Sequence, residues 1–228
     1  MDRLTDQQQR QLDAFARRLL DDNARAGLMS SGTDRETIYR RHFEESLAVL
    51  EALESRAALA SPLIDVGSGG GFPGLVLKIA RPELEMTLLE ANGKKAAFLE
   101  SVVEEMAFEG VRVVHQRAEE AGRDPVHRDV YPLALARAVA PLRVLLELTL
   151  PLVRPGGLLA APKGSAADRE MAEAAGALAA FDAVIEDASP LLLPGRAERV
   201  PTLILVRKHS ATPNRYPRRP GIPAKRPL

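Results

Sequence analysis

Five glycines fall within eight positions of the stretch "DVGSGGGFPG": Gly67, Gly69, Gly70, Gly71 and Gly74. An acid, Asp65, stands two residues before the first, and a second acid, Glu90, closes the next apolar run. Glycine has no Cβ and tolerates positive φ, so a loop of this kind lets a flat or polar small molecule lie against bare backbone. Gly69, Gly71 and Gly74 satisfy G-x-G-x-x-G, with an acid about twenty residues further on. Glu90 can accept hydrogen bonds from ribose hydroxyls, a chemistry that serves NAD and S-adenosylmethionine equally. Pro73 suits a first helical turn, where its missing N–H would be unpaired anyway. The chain has no cysteine and four scattered histidines, so neither a thiolate nucleophile nor a metal centre is expected.

A loop can hold a ligand only if rigid elements present it. From residue 62 onward short apolar runs alternate with helical stretches: "PLIDV", "EMTLLE", "VRVVHQ", "PLALAR", "GLLAAP", "FDAVIED" and "PTLILVR" are separated by helices at about 72–81, 93–108, 141–153 and 166–180. This alternation predicts an α/β fold with a seven-stranded, mostly parallel sheet covered by helices on both faces. Only the turn-rich "ASPLLLPGRAERV" separates the last two runs, so these are expected to pair antiparallel. Residues 4–22 and 35–56 carry apolar side chains at helical spacing, the second helix capped by Thr33 or Asp34. The expected organisation is an N-terminal helical extension (1–58), a main domain (59–208) and a basic, proline-rich tail (209–228) whose prolines favour an extended path.

With 228 residues, 46% hydrophobic and 27% charged, the chain has the composition of a soluble globular protein, and no apolar run reaches the length of a membrane span. The first residues do not form a secretory signal, so a cytoplasmic location is expected. The formal net charge is zero, yet no acid follows Glu198, while Arg207, Lys208, Arg215, Arg218, Arg219, Lys225 and Arg226 do. A cationic end of this kind suits a phosphate-bearing partner, or is simply a solvated tail. The oligomeric state is not written in these residues; a monomer is the working expectation.

Asp65 separates the two nucleotide readings. The order D-V-G-S-G-G-G resembles the first motif of the S-adenosylmethionine-dependent methyltransferases, whereas a dinucleotide fold usually has a hydrophobic residue at that place; capping of the turn by Asp65 is the structural alternative. "DVGSGGGFPGLVLKIARPE", "LLEANGKKAAFLE", "QRAEE", "ARAVAPL" and the terminal "YPRRPGIPAKRPL" together resemble, over nearly the whole chain, the RsmG (GidB) family of bacterial 16S ribosomal RNA guanine-N7 methyltransferases. The resemblance implies a class I, Rossmann-like methyltransferase fold and S-adenosylmethionine as cofactor. It implies that Asp65, Gly67, Gly69, Phe72, Glu90, Ala118, Glu119 and Arg137 serve the cofactor. Arg137 would also stand beside the transfer site, and Lys163 in "APKG" would meet the target base or RNA phosphate. "IYRRHFEESL" is similar to the family's substrate-side helix, making Arg41, His42 and Ser46 candidates there. Where relatives commonly carry Asn-Leu-Thr before this helix, this chain has Gly27, Leu28 and Met29.

The implied reaction is in-line attack of the guanine N7 lone pair on a sulfonium methyl, with a neutral thioether leaving. N7 carries no proton, so no general base is required. Catalysis would come from orientation, which can supply roughly 7 to 11 kcal/mol, and a donor such as Arg137 or Lys163 could reach guanine O6. The implied partner is 16S RNA or the small ribosomal particle, with Arg215, Arg218, Arg219, Lys225 and Arg226 on its phosphates and Tyr216 stacked on a base. Three other readings are an RNA-binding protein that keeps the fold without turnover, a methyltransferase acting on a non-RNA substrate, and an NAD-dependent oxidoreductase. The last leaves Asp65 without a role and lacks a hydride-transfer partner.

Overall fold

A computed structural model describes residues 4–193 and 200–228. The chain opens with α1 (Asp6–Ala26), α2 (Arg35–Thr37), a π-helical turn (Ile38–Phe43) and α3 (Glu44–Ser55). The alternating part follows: β1 (Leu63–Val66), α4 (Gly74–Ala80), β2 (Met86–Glu90), α5 (Gly93–Glu105), β3 (Val111–His115), α6 (Ala118–Ala121), β4 (Tyr131–Leu135), α7 (Leu142–Thr149), β5 (Val153–Lys163), α8 (Ala167–Ala172), α9 (Ala175–Ala180), β6 (Ala183–Pro190) and β7 (Thr202–Lys208). A last turn of helix, α10 (Ile222–Lys225), lies in the tail.

All seven strands join one sheet in the order β3-β2-β1-β4-β5-β7-β6. The pairs from β3 to β5 are parallel, and β7 runs antiparallel to both β5 and β6. This is the predicted α/β sheet with its antiparallel closing pair, although residues 194–199 of the turn-rich connection lie outside the described residues. Strand order reverses between β1 and β4, and ligands of open α/β sheets bind beyond the strand ends at such a point.

The period-two alternation of strand side chains splits the core into two layers. Leu63, Leu88, Leu133, Leu158 and Leu205 face one cluster, and Ile64, Leu89, Ala134, Leu159 and Ile204 face the other. The first cluster also contains Leu12, Phe15 and Leu19 of α1, Val49 and Leu53 of α3 and Leu75 of α4. The N-terminal helices therefore share their apolar face with the sheet's own covering helices.

Local chemistry sets the helix ends. Thr5 and Gln8 form a capping box at the start of α1, and Gly27, at φ 63°, ends it in the left-handed conformation that favours glycine. Met29 N–H then donates to Asn23 Oδ1 at 2.8 Å. The divergent Gly27 to Met29 segment is thus a helix stop. Asp34, not Thr33, caps the next helix, accepting from Thr37 N–H at 2.8 Å.

Three expectations need correction. The helix read over 35–56 is interrupted by a π-helical turn at Ile38–Phe43. The helix read over 166–180 is two short helices, the second with Gly176 in its first turn, where the residue's low helix propensity weakens continuity. The tail is not wholly extended, because α10 forms after Gly221 with Pro223 in its first turn, a place where proline loses no helical hydrogen bond.

Gly74 joins sheet to helix at the site's base. A Cβ there would sit 2.7 Å from Asp65 Oδ2 and 2.8 Å from Leu88 Cδ2. Gly74→Ala should therefore lower unfolding free energy in urea by about 1 to 3 kcal/mol through overpacking; unchanged stability would show that the strand and helix can separate without cost.

Candidate active site

The glycine loop is shaped from beneath by two carboxylates. Asp65, fully buried at the end of β1, accepts from Gly74 N–H through Oδ2 at 2.9 Å. Glu90, at the end of β2, accepts from Gly69 N–H at 2.8 Å and from Asn92 N–H at 2.8 Å. Burial pushes the Asp65 carboxyl up to about 7, opposed by the Gly74 hydrogen bond and the Arg137 charge and assisted by Glu90. Its Oδ1 is buried with no partner in the described structure.

Above the loop, at the carboxyl ends of β1 and β2, lies a cleft of about 330 Å³, within the range of about 300–1,000 Å³ common for small-molecule sites. Val66, Leu89, Val139, Val144 and Leu148 give it apolar walls; Gly67, Glu90, Ala118 and Glu119 present backbone and carboxylates. Gly67 is required there for two reasons. It holds φ 71°, and a Cβ on it would come within 2.8 Å of Val139 Cγ2 across the cleft wall.

This chemistry fits S-adenosylmethionine. Two carboxylates suit a ligand carrying a sulfonium and an ammonium group, Glu90 suits ribose hydroxyls, and a purine can lie between the apolar walls. A dinucleotide fits poorly, because its pyrophosphate would face two acids with only the exposed Arg117 among the described lining residues to balance it.

Four residues expected at the cofactor do not line this cleft. Asp65 and Gly69 shape the loop from below. Phe72 is buried in an aromatic cluster, stacked on His42 at 4.6 Å between centroids and packed beside Phe15 and Phe43. Arg137 stands with it, its guanidinium 5.0 Å from the Phe72 ring centroid. Arg137 Nη2 donates to His42 Nδ1 at 2.8 Å, Nη1 donates to the Arg41 carbonyl at 3.3 Å, and Glu45 lies 3.8 Å away. The structure thus brings Phe72, Arg137 and His42 into one cluster beside the cleft.

That cluster borders an open basin of about 830 Å³ of mixed charge, with Arg40, Arg41 and Arg137 facing Asp34, Glu36 and Glu45 around His42. Burial, then the charges of Arg137 and Arg41, push the His42 imidazole down to about 4. The ring is neutral near pH 7, and since Nδ1 accepts from Arg137, its proton sits on Nε2. Arg41 and His42 belong to the π-helical turn, a distortion frequent at functional sites.

The loop after β4 separates cleft from basin. Ala138 holds φ 56°, a strained left-handed conformation for a residue with a Cβ. Lys163 donates to the Ala140 carbonyl at 2.5 Å and pairs with Glu170 at 2.9 Å, while Glu170 accepts from Leu142 N–H at 2.8 Å. Lys163 is 8% exposed and holds this loop from a hollow that it lines together with Glu45 and Arg137.

The tail also departs from expectation. Arg218 is committed to Glu147, which is 1% exposed and accepts from both Arg218 N–H and Nε at 2.8 Å. Tyr216 is buried against Phe181 at 4.9 Å, out of reach of a base. Ser46 is fully buried and donates to the His42 carbonyl at 2.6 Å. Arg215 and Arg219 remain exposed, as the RNA-facing reading requires. Gly221 and Ala224 line the cleft, which the sequence reading missed. The signal was present: Glu147 is a lone acid in the apolar run "VLLELTL" and needs a buried partner.

Two titrations follow. The His42 ring should stay neutral down to about pH 5, with its proton on Nε2 in nitrogen NMR; a midpoint above about 6 would contradict the buried pair. The folded pKa of Asp65 lies above its ordinary 3.8, so the folded state keeps this proton longer and stability falls as pH rises from about 4 to about 7. Asp65→Asn should flatten that slope in chemical denaturation, and an unchanged slope would refute it.

The family described as rRNA small subunit methyltransferase G (GidB) matches residues 8–192. The chain is 47% identical to the "Ribosomal RNA small subunit methyltransferase G" of Roseiflexus castenholzii, covering 96% of this chain and 93% of that one. It is 42% identical to the protein of the same name from Moorella thermoacetica, over 95% and 89% of the two chains. Among solved structures, a SAM dependent methyltransferase from Aquifex aeolicus superposes with a TM-score of 0.54 at 12% identity, covering 75% of this chain and 92% of that one. That likeness shows the fold, the Rossmann-like sheet of the class I methyltransferases. With an architecture, a cleft and relatives in agreement, the chain belongs to the rRNA small subunit methyltransferase G (GidB) family.

Proposed function

We propose that this protein methylates N7 of one guanine in the decoding-region loop of 16S ribosomal RNA. It is an S-adenosylmethionine-dependent methyltransferase acting on small-subunit ribosomal RNA; the position on the base, the nucleotide, and the 30S particle as the form acted upon are our reading. The observation that carries it is the shared wall between two hollows. The loop after β4 presents Val139 and Ala140 to the acidic cleft and Arg137 and Ala138 to the open basin, where Arg40, Arg41 and Arg137 alternate with Asp34, Glu36 and Glu45, so a cofactor in one and a nucleotide in the other would meet across a few residues.

S-adenosylmethionine supplies an electrophilic methyl on sulfonium, which an uncharged ring nitrogen can accept without help from a base. Glu90 and Glu119 hold acceptors toward the cofactor side. Arg137, fixed by His42, the Arg41 carbonyl and the Phe72 face, offers donor capacity at the basin edge, where guanine O6 would lie while N7 stays free. His42 adds an Nε2–H without adding charge. The exposed Arg41, Arg215 and Arg219 suit contacts with the RNA backbone. No helix of the described residues is long and apolar enough to cross a membrane, and no group of three or more His, Asp or Glu side chains placed to hold a metal occurs among them.

Labelled S-adenosylmethionine with unmodified 16S RNA and with 30S particles, followed by nucleoside mass spectrometry, should give 7-methylguanosine at a single position. A methylated nucleoside of another kind would overturn the N7 assignment. No product, with cofactor binding intact, would favour a fold that binds RNA without turnover or a different substrate. Arg137→Ala should lower kcat by about a hundredfold through misplacement of the reacting groups, with a much smaller change in affinity for S-adenosylhomocysteine; equal losses would make Arg137 a cofactor-holding residue.

A further inference from the structure

We propose that the C-terminal segment 216–225 is a strap forming one wall of the cofactor cleft, and that Glu147 and Arg218 are the positioning residues that hold it there. This rests on the reading that the cleft of Gly67, Glu90 and Glu119 takes S-adenosylmethionine. The tail's basic residues invite an RNA-binding role alone, but its inner face has a different chemistry.

Four attachments define that face. Gly221 N–H donates to Glu119 Oε1 at 2.8 Å, and both residues line the cleft. The φ of 80° at Gly221 turns the backbone sharply at that point, so the strap contributes a backbone donor where a side chain would crowd the space. One turn of α10 further on, Ala224 supplies a second lining residue. Arg218 locks onto Glu147 of α7, the helix that also supplies Val144 and Leu148 to the cleft. Upstream, Arg128 donates to the carbonyls of Thr212 and Tyr216 at 2.8 and 2.9 Å, and Lys208 donates to Thr212 Oγ1 at 2.6 Å.

The energetics make this a closed state with a penalty for opening. Glu147 is 1% exposed with Arg218 upon it, and lifting the strap would break the hydrogen-bonded ion pair on that carboxylate. The strap also decides the Glu119 geometry. With Oε1 engaged by Gly221, Oε2 is left for an amino group of the cofactor, and the carboxylate is held at one rotation. Arg218 is therefore spent inward, while Arg215, Arg219, Lys225 and Arg226 lie on the exposed side. The strap is two-faced: its inner residues order the cofactor site and its outer cations remain for phosphate.

Glu147→Gln keeps the shape of the side chain but removes the charge, and Arg218→Ala removes the latch. In both, the Kd for S-adenosylhomocysteine by titration calorimetry and the KM for S-adenosylmethionine should rise about tenfold or more, while kcat at saturating cofactor stays within about twofold. A purely structural loss would lower kcat and the folded fraction together. Ala224→Trp provides the test independent of folding, because Ala224 is exposed and a large ring there fills the cleft mouth; its Kd should rise by a similar factor at an unchanged Tm. Wild-type cofactor affinity in all three folded variants, or loss of RNA affinity alone, would overturn the strap. If the wild-type protein itself bound no S-adenosylhomocysteine, the cofactor reading would fall and this inference with it.

Discussion

Two carboxylates hold the glycine-rich turn by its backbone, and the remainder of the site depends on that arrangement. Asp65 takes the N–H of Gly74 and Glu90 takes the N–H of Gly69. One bond ties the end of β1 to the start of α4, and the other ties the end of β2 to the crest of the loop. Backbone donors that would otherwise be unpaired are satisfied by carboxyl oxygens buried at the strand ends. The turn is thereby shaped before any ligand arrives, and Gly67 presents bare backbone to the cleft. Asp65 illustrates the cost: its second oxygen is buried without a partner, a penalty tolerated where it fixes a functional loop.

A second group couples this loop to the N-terminal helices. Phe72, at the loop's end, packs on Phe15 of α1 and stacks on His42 of the π-helical turn, and Arg137 from the end of β4 closes over its ring. Four separate elements meet there. The desolvation that keeps His42 neutral also buries Arg137, whose donors are held in place by His42, the Arg41 carbonyl, Glu45 and the Phe72 face. Preorganised donors of this kind suit a reaction whose main requirement is orientation. The loop of Arg137 and Ala138, pinned from its other side by Lys163 and Glu170, becomes a fixed partition between cleft and basin.

Much of this was legible in the residues. The short apolar runs announced seven strands, their alternation with helical stretches announced parallel connections, and the glycines with Asp65 and Glu90 marked the ligand end of the sheet. What was not legible were the contacts made across long sequence separations. That Lys163 would be consumed by the Ala140 carbonyl, or Arg218 by Glu147 71 positions away, depends on which helices the sheet brings together. Residue type alone made both look like free cations. The π-helical turn was equally hidden: "IYRRHF" reads as part of an ordinary helix, and the structure buries Ile38 and Phe43, five residues apart, at the two ends of the wider turn. Gly74, the last glycine of G-x-G-x-x-G, is set by packing: the atoms that exclude a Cβ there belong to Asp65 and Leu88.

The central claim is that one acidic cleft at the ends of β1 and β2 holds the cofactor beside a separate open basin, edged by Arg137 and His42, for the base. A crystal structure with S-adenosylhomocysteine tests it most directly. The account predicts ribose hydroxyls on Glu90, adenine beside Ala118 and Glu119 beneath Gly221, and sulfur facing the loop of Val139 and Ala140. Adenine density in the basin of Arg41 and His42, with the cleft empty, would contradict it.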